Sequence, residues 1–332
     1  MLNKTLKLNE NIFRKSVERK SQREAFGEKI LELAKKNTKI VALTANLKSS
    51  VKLSAFEKEF SERFIEVGIA EQNMAGIAAG LALSDKIPFM VSHAIFSPSR
   101  NWDQIRVSIA LSNANVKIVG THAGFSNGPD GSVAEPFEDI ALTRVLPNMK
   151  VIHPIDSIQT EKAVEALSKD IGPAYLRISK AKTPVITSSQ TPFKIGEAQV
   201  LMEGADLTII AAGPIAYEAL IAARNLNATQ KIKVEVIACP TIKPLDEKTI
   251  LKSVKKTGRV VTVEEHQIIG GLGGAVAELL SEKLPTKLLR IGLEDCYGES
   301  GTYEQLLNKY DLNAQGITER IIKFYGDKQW IY

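Results

Sequence analysis

Val116-Lys117-Ile118-Val119-Gly120 is short, almost wholly apolar and rich in β-branched residues, and it runs straight into the turn-rich Thr121-His122-Ala123-Gly124-Phe125-Ser126-Asn127-Gly128-Pro129-Asp130-Gly131. Such a run predicts a strand. Because it is apolar at consecutive rather than alternate positions, it predicts one buried on both faces, as in a parallel sheet. Similar runs lie outward on both sides at Ile40-Val-Ala-Leu-Thr44, Phe89-Met-Val-Ser-His93 and Lys150-Val-Ile-His153. Between them, Arg23 to Lys36, Asn73 to Leu83 and Trp102 to Ser112 carry helical spacing. Strands alternating with helices predict βαβ units, hence an α/β, doubly wound domain.

From Lys180 to about Lys194, Pro184, Pro192 and a Ser-Ser-Gln-Thr cluster read as a loop. A second alternating block follows: Leu207-Thr-Ile-Ile-Ala-Ala-Gly213, a helix from Ala216 to Leu226, Val234-Glu-Val-Ile-Ala238, a helix near Glu247 to Thr257, Arg259-Val-Val-Thr-Val-Glu264 and a helix from Gly274 to Lys283. Three strands with crossover helices predict a smaller doubly wound domain. The expected domains are 1–185 and 195–332.

With 44% hydrophobic and 24% charged residues, and no apolar run of membrane-spanning length, the chain reads as globular rather than fibrous or membrane-embedded. The N-terminus lacks a secretory pattern, and Cys239 and Cys296 are too few and too far apart for a disulfide framework or zinc site, so a cytoplasmic location is expected. The net charge of +5 is scattered among 38 acidic residues without a basic run, which argues against nucleic acid. It suits anionic small molecules or an acidic partner chain.

Glu71 follows the mostly apolar Ile65 to Ala70 and precedes the small-residue stretch Met74 to Leu83. It is either a helix N-terminal charge favoured by the macrodipole or a buried carboxyl poised for proton transfer. Ligands of parallel sheets bind beyond the carboxyl ends of strands, which makes His122 and Asp130 substrate-contact candidates. The alternative is a glycine-rich surface turn in which Asp130 bonds its own backbone. Phe96 is core or a stacking surface for a flat heterocycle, and His153 reads as structural. Gly270-Gly-Leu-Gly-Gly274 is not a dinucleotide fingerprint; it reads as helix-entry geometry with weak anion binding possible. No Walker, zinc, GxSxG or kinase pattern is present, which points to a cofactor that carries the carbon chemistry.

Gly68-Ile-Ala-Glu71-Gln-Asn-Met74, the His122 to Asp130 loop, Leu142-Thr-Arg-Val-Leu-Pro-Asn-Met149, Thr241-Ile-Lys-Pro-Leu-Asp246 and Glu264-Glu-His-Gln-x-x-Gly-Gly-Leu-Gly273 occur in this order in transketolases. The chain resembles the C-terminal section of split, two-chain transketolases from about Arg23 to Ile321. The resemblance implies a pyrimidine-binding domain followed by the family's C-terminal domain, with thiamine diphosphate at an interface. The family's metal motif, Gly-Asp-Gly followed later by Asn, is absent: Asp130 lies in Pro-Asp-Gly and Asp327 in Gly-Asp-Lys. The resemblance therefore implies no metal ligands here, with Mg²⁺ and the diphosphate held by a separate N-terminal-section chain in an α₂β₂ assembly.

Glu71 matches the glutamate that protonates the aminopyrimidine N1′, a role that needs a raised pKa. Asn46, Ile69, Phe96 and Arg100 fall on the cofactor side by the same resemblance. Phe96 can be aligned with the stacking aromatic in more than one way, and Asn46 stands where many relatives carry Asp. Phosphate-contacting positions map to Arg23, Ser50, His122 and Lys180, with Lys180 replacing an Arg and losing its bidentate fork. In Asp130-Gly-Ser-Val-Ala134-Glu135-Pro136 the family has Asp-Gly-Pro-Thr-His-Gln-Pro, so Ala134 replaces a histidine that contacts ketose hydroxyls. The expected reaction is transfer of a two-carbon ketol unit from a non-standard ketose or ketose phosphate to an aldose, with Glu71, His122 and Asp130 as its catalytic residues. Alternatives are the β subunit of a 2-oxo acid dehydrogenase decarboxylating component and a non-catalytic scaffold subunit.

Overall fold

The computed structural model describes residues 1–326; Asp327 lies outside the described residues. In chain order the strands are β1 (Arg19–Ser21), β2 (Ile40–Thr44), β3 (Phe64–Glu66), β4 (Ile87–His93), β5 (Lys117–Thr121), β6 (Lys150–Ile152), β7 (Ala174–Arg177), β8 (Lys182–Pro184), β9 (Gln199–Met202), β10 (Leu207–Ala211), β11 (Val234–Ala238), β12 (Thr241–Lys243), β13 (Arg259–Gln267) and β14 (Lys287–Leu293). They form a seven-stranded sheet in the order β12-β6-β7-β5-β4-β2-β3, a five-stranded sheet in the order β14-β13-β10-β11-β9, and the pair β1-β8. Only β12 runs antiparallel to its neighbour in the larger sheet, and only β9 in the smaller one.

The consecutive apolar residues of β2 are explained by cores on both sides. Ile40 and Ala42 face a cluster with Phe26, Ile30, Val164 and Leu167, from helices Gln22–Lys36 and Ser157–Lys169. Val41 and Leu43 face a second cluster with Met74, Ala75 and Ala78 of helix Glu71–Leu83. Strand residues alternate between faces, so both parities must be apolar when both faces are covered. Each large side chain so buried contributes about 1.5–3 kcal/mol. The second cluster continues without a break into Ile210, Ile237, Ile250 and Leu272, so the two sheets share apolar packing.

Three expectations differ from the structure. The second unit has five strands rather than three, because β9 and β14 are edge strands with weaker patterning. Its chain also lends β12 to the larger sheet, where Thr241 pairs with Ile152. The expected loop after Lys180 contains β8, which pairs with β1. The expected helix from Trp102 to Ser112 is a short α turn, Trp102–Gln104, followed by π-helical Ile105–Ala110. The π spacing sets Ile105 and Ala110 one turn apart, and both are buried together with Ile109.

Candidate active site

The strands β2, β3, β4, β5 and β7 are mutually parallel, so their carboxyl ends share one edge. Asn46 and Ser50 follow β2, Ile69 and Glu71 follow β3, Phe96 and Arg100 follow β4, His122 and Asp130 follow β5, and Lys180 follows β7. Arg23 joins from the first turn of helix Gln22–Lys36. The topology therefore brings every expected site residue to the edge where open α/β sheets bind ligands.

Glu71 is the first residue of its helix and is only 5% exposed. Arg100 Nη1 lies 3.3 Å from Glu71 Oε1, and Asn101 Nδ2 donates to the Glu71 carbonyl oxygen at 3.1 Å. The Arg100 guanidinium also sits 4.1 Å from the centre of the Phe96 ring. One side chain thus contacts both the acid and the aromatic face, while itself remaining 51% exposed. Ile69, 71% exposed, and Asn46 border this end on the open side.

The other end is built around two imidazoles. His93 pairs with Thr121 in the β4–β5 register, which sets His93 beside His122. Their ring centres are 3.6 Å apart, and the Phe96 ring also stacks with His93, at 5.6 Å. Ser50 Oγ lies 2.9 Å from His93 Nε2 and 3.3 Å from His122 Nε2. Arg23 Nη1 donates to the Ser50 carbonyl at 2.7 Å and lies 3.3 Å from His122 Nε2. Burial, reinforced by the positive charges of Lys180 and Arg23, pushes His93 down to about 4. Burial, His93, Arg23 and Lys180 push His122 to about 2. Both rings are neutral at physiological pH. Lys180 Nζ donates to Asn127 Oδ1 at 3.0 Å, and Asp130 is exposed at the rim, where its charge opposes the lowering of His93. His122 adopts φ 60°, a left-handed conformation uncommon for a residue with a side chain, as functional residues held by a scaffold often do.

Residues 18–185 match the transketolase pyrimidine binding domain, and residues 196–317 match the transketolase C-terminal domain. The chain belongs to the transketolase family. It is similar to the 6-deoxy-6-sulfo-D-fructose transketolase subunit SqwH of Clostridium sp. (strain MSTE9), at 41% identity over 89% of this chain and 91% of that one. It is also similar to an apulose-4-phosphate transketolase subunit of Phocaeicola vulgatus, at 39% identity over 91% of this chain and 96% of that one. A solved structure described as a split gene transketolase, inactive beta4 tetramer, is 41% identical, covers 92% of this chain and 98% of its own, and has a TM-score of 0.84. Membership implies thiamine diphosphate dependence and a transketolase-type transfer.

Within the transketolase frame, two conspicuous sequence features have structural roles. The Glu264 carboxylate accepts from Leu272 N and Gly273 N, both at 2.7 Å, so it caps helix Leu272–Lys283 itself. The anion considered for that glycine run is the protein's own side chain. Glu265 accepts from Phe125 N at 2.6 Å and from the Tyr303 hydroxyl at 2.9 Å, and thereby anchors the His122 loop to the C-terminal domain. His153 is fully packed, with its Nε2 3.4 Å from Arg177 Nη1. Sequence reasoning missed His93, Asn101 and Asn127; the only available signal for His93 was its place at the end of a strand next to the one that precedes His122.

The same loop holds an unusual acid. Glu135 is buried and neither carboxyl oxygen has a hydrogen-bond partner among the described residues. Burial, with Glu265 and Glu299 nearby, raises it to about 7. A carboxyl raised in the folded state supports folding below its ordinary range and loses that support as pH climbs through its folded pKa. The transketolase pattern has Gln here, which never ionises. Glu135→Gln is therefore expected to raise Tm by about 2–4 °C at pH 8 and to leave it unchanged at pH 5. Thermal unfolding at the two pH values checks this, and an equal effect at both would contradict it.

Among the described residues no helix is long and apolar enough to cross a membrane, and no group of His, Cys, Asp or Glu is placed to hold a metal ion.

Proposed function

We propose that this chain, divided near residues 185 and 195, supplies the aminopyrimidine-activating half of a two-chain transketolase, and that an N-terminal-section partner supplies the diphosphate and Mg²⁺ site in an α₂β₂ assembly. The observation that carries this reading is the row Glu71, Arg100, Phe96, His93, His122, Arg23, which sets a buried acid, an aromatic face and an anion-receptive end along one sheet edge. The residues fit the pyrimidine end of thiamine diphosphate. A buried carboxyl suits a ring nitrogen, and its one side-chain partner among the described residues, Arg100, is half exposed and free to swing aside. When bound, the cofactor supplies a nucleophilic carbon that accepts and releases a two-carbon unit.

In this reading Glu71 holds a proton at the pyrimidine nitrogen, with Asn46, Ile69, Phe96 and Arg100 flanking it. Dry surroundings strengthen that contact, and the helix N-terminus fixes its direction. Arg23, Ser50, His122 and Lys180 receive the anionic end of a sugar, for which cationic and hydroxyl donors are the matching chemistry. His122 and Asp130 orient ketose hydroxyls, so that the reacting carbons meet in one geometry.

Ala134 supplies no donor where the family pattern has histidine, and two similar subunits are named for sugars other than ordinary pentose phosphates. This supports a ketose donor other than the linear pentose phosphates. The reconstituted two-chain enzyme is expected to convert xylulose 5-phosphate and ribose 5-phosphate at least about tenfold less efficiently than a ketose modified along its chain, the loss that one missing hydrogen bond to a substrate produces. Comparison of kcat/KM across a ketose panel checks this. Equal or better use of xylulose 5-phosphate would refute the substrate assignment.

A further inference from the structure

His93 belongs to the row that carries the ketose-transfer reading but is given no contact with the substrate in it, and the structure builds it into the centre of the site. It ends β4 one strand away from His122, and its ring stacks with those of both Phe96 and His122. Stacking at 3.6 Å is compatible with two neutral rings and resists two charged ones. Counting donors and acceptors fixes how the rings are linked. Thr121 Oγ1 donates its one hydrogen to the Ser92 carbonyl at 3.1 Å, so at 2.7 Å it accepts from His122 Nδ1. His122 Nε2 is then a bare acceptor that faces Arg23 and Ser50. If Ser50 donates to His122, its oxygen remains free to accept from His93 Nε2, which closes a chain His93, Ser50, His122. Among the described residues, no protein group bonds His93 Nδ1, and Arg23 Nε is buried without a partner.

We propose that His93 is a further substrate-positioning residue: coupled to His122 through the Ser50 hydroxyl, it receives the anionic group of the substrate between Arg23 and Lys180. This inference rests on the ketose-transfer reading and deepens it. Two cations with no carboxylate among them are suited to a phosphate or sulfonate, and Asp130 is the acid that faces His93 from the rim. An arriving anion reverses the balance that keeps the imidazole neutral. Binding therefore draws a proton from solvent onto the ring.

The test uses the assembled two-chain enzyme with histidine selectively labelled for NMR, and inorganic phosphate as the probe. The four histidines are assigned one at a time by substitution. The proposal expects the His93 ring signals to shift saturably with phosphate, and its titration midpoint to rise from about 4. In steady-state kinetics, His93→Phe keeps the stack but removes both ring nitrogens. It should raise KM for an anionic ketose by about tenfold, the value of a hydrogen bond to a charged group, and change kcat much less. His93→Gln, which retains a donor, should recover most of that loss. A purely structural His93 would leave its titration unmoved by phosphate. Unmoved His93 signals while those of His122 shift, or an unchanged KM in His93→Phe, would overturn the proposal. If phosphate moves His93 in an enzyme that turns over no ketose, the anion site stands and the ketose-transfer reading falls.

Discussion

Glu71→Ala in the assembled two-chain enzyme is expected to lower ketose turnover by about 10²–10⁴-fold, the usual contribution of a positioned proton-transfer group. The loss should fall on kcat, because Glu71 lies at the cofactor end of the site, whereas Arg23, Ser50, His122 and Lys180 gather at the other. Glu71→Gln is informative beside it. The amide preserves shape and can bond a ring nitrogen, but it cannot exchange a proton as a carboxyl does. It should bind cofactor better than Glu71→Ala and remain nearly as inactive. The structure adds a further expectation for Arg100. Because it contacts both Glu71 and Phe96, Arg100→Ala leaves both uncovered and should make the cofactor site easier to enter. Undiminished turnover in Glu71→Ala would remove the central assignment.

The largest effect on stability is expected at Asp139. Arg177 and Asp139 are 1% and 0% exposed, and Arg177 Nε donates to Asp139 Oδ2 at 2.8 Å. The Tyr175 hydroxyl donates to the same oxygen at 2.6 Å, and Arg177 Nη2 donates to the carbonyls of Pro136 and Glu265, each at 3.1 Å. The guanidinium therefore ties β7, the loop that carries Asp130, and β13 of the C-terminal domain to one buried charge. Removing one partner of such a pair strands the other in a dry interior. Asp139→Ala should cost about 3–5 kcal/mol of folding free energy. Denaturant unfolding measures this directly, and Asp139→Asn, which retains an acceptor, should cost less. A loss below about 1 kcal/mol, typical of exposed pairs, would show that the network is not what holds the domains together.

The parallel larger sheet was legible because its strands are apolar at both parities, and that pattern follows from cores on both faces. The ligand edge was legible for the same reason, since parallel strands end together. Edges were harder to read. β12 is three residues long, and nothing local to Thr241–Lys243 records that it leaves its own domain's sheet to pair with β6. The π turn at Ile105–Ala110 was hidden because tertiary packing, rather than propensity, sets its pitch. At the site, Glu71 and the His122 loop stood out through ordered motifs. His93 did not, because its importance comes from strand register: pairing with Thr121 places it against His122, and a register is a relation between segments distant in sequence. Likewise Glu264 and Glu265 stood out as a motif, but their work as a helix cap and a loop anchor depends on where helix Leu272–Lys283 and Tyr303 fall.

A divided active site is tested by measuring turnover for this chain alone, for a partner chain carrying Gly-Asp-Gly and a downstream Asn alone, and for the two mixed, each with thiamine diphosphate, Mg²⁺ and a panel of ketose donors. No ketol transfer is expected from either chain separately. The mixture should transfer, and should lose that transfer when it contains Glu71→Ala. Transfer by this chain without a partner, or a mixture that is active regardless of Glu71, would contradict the division of labour.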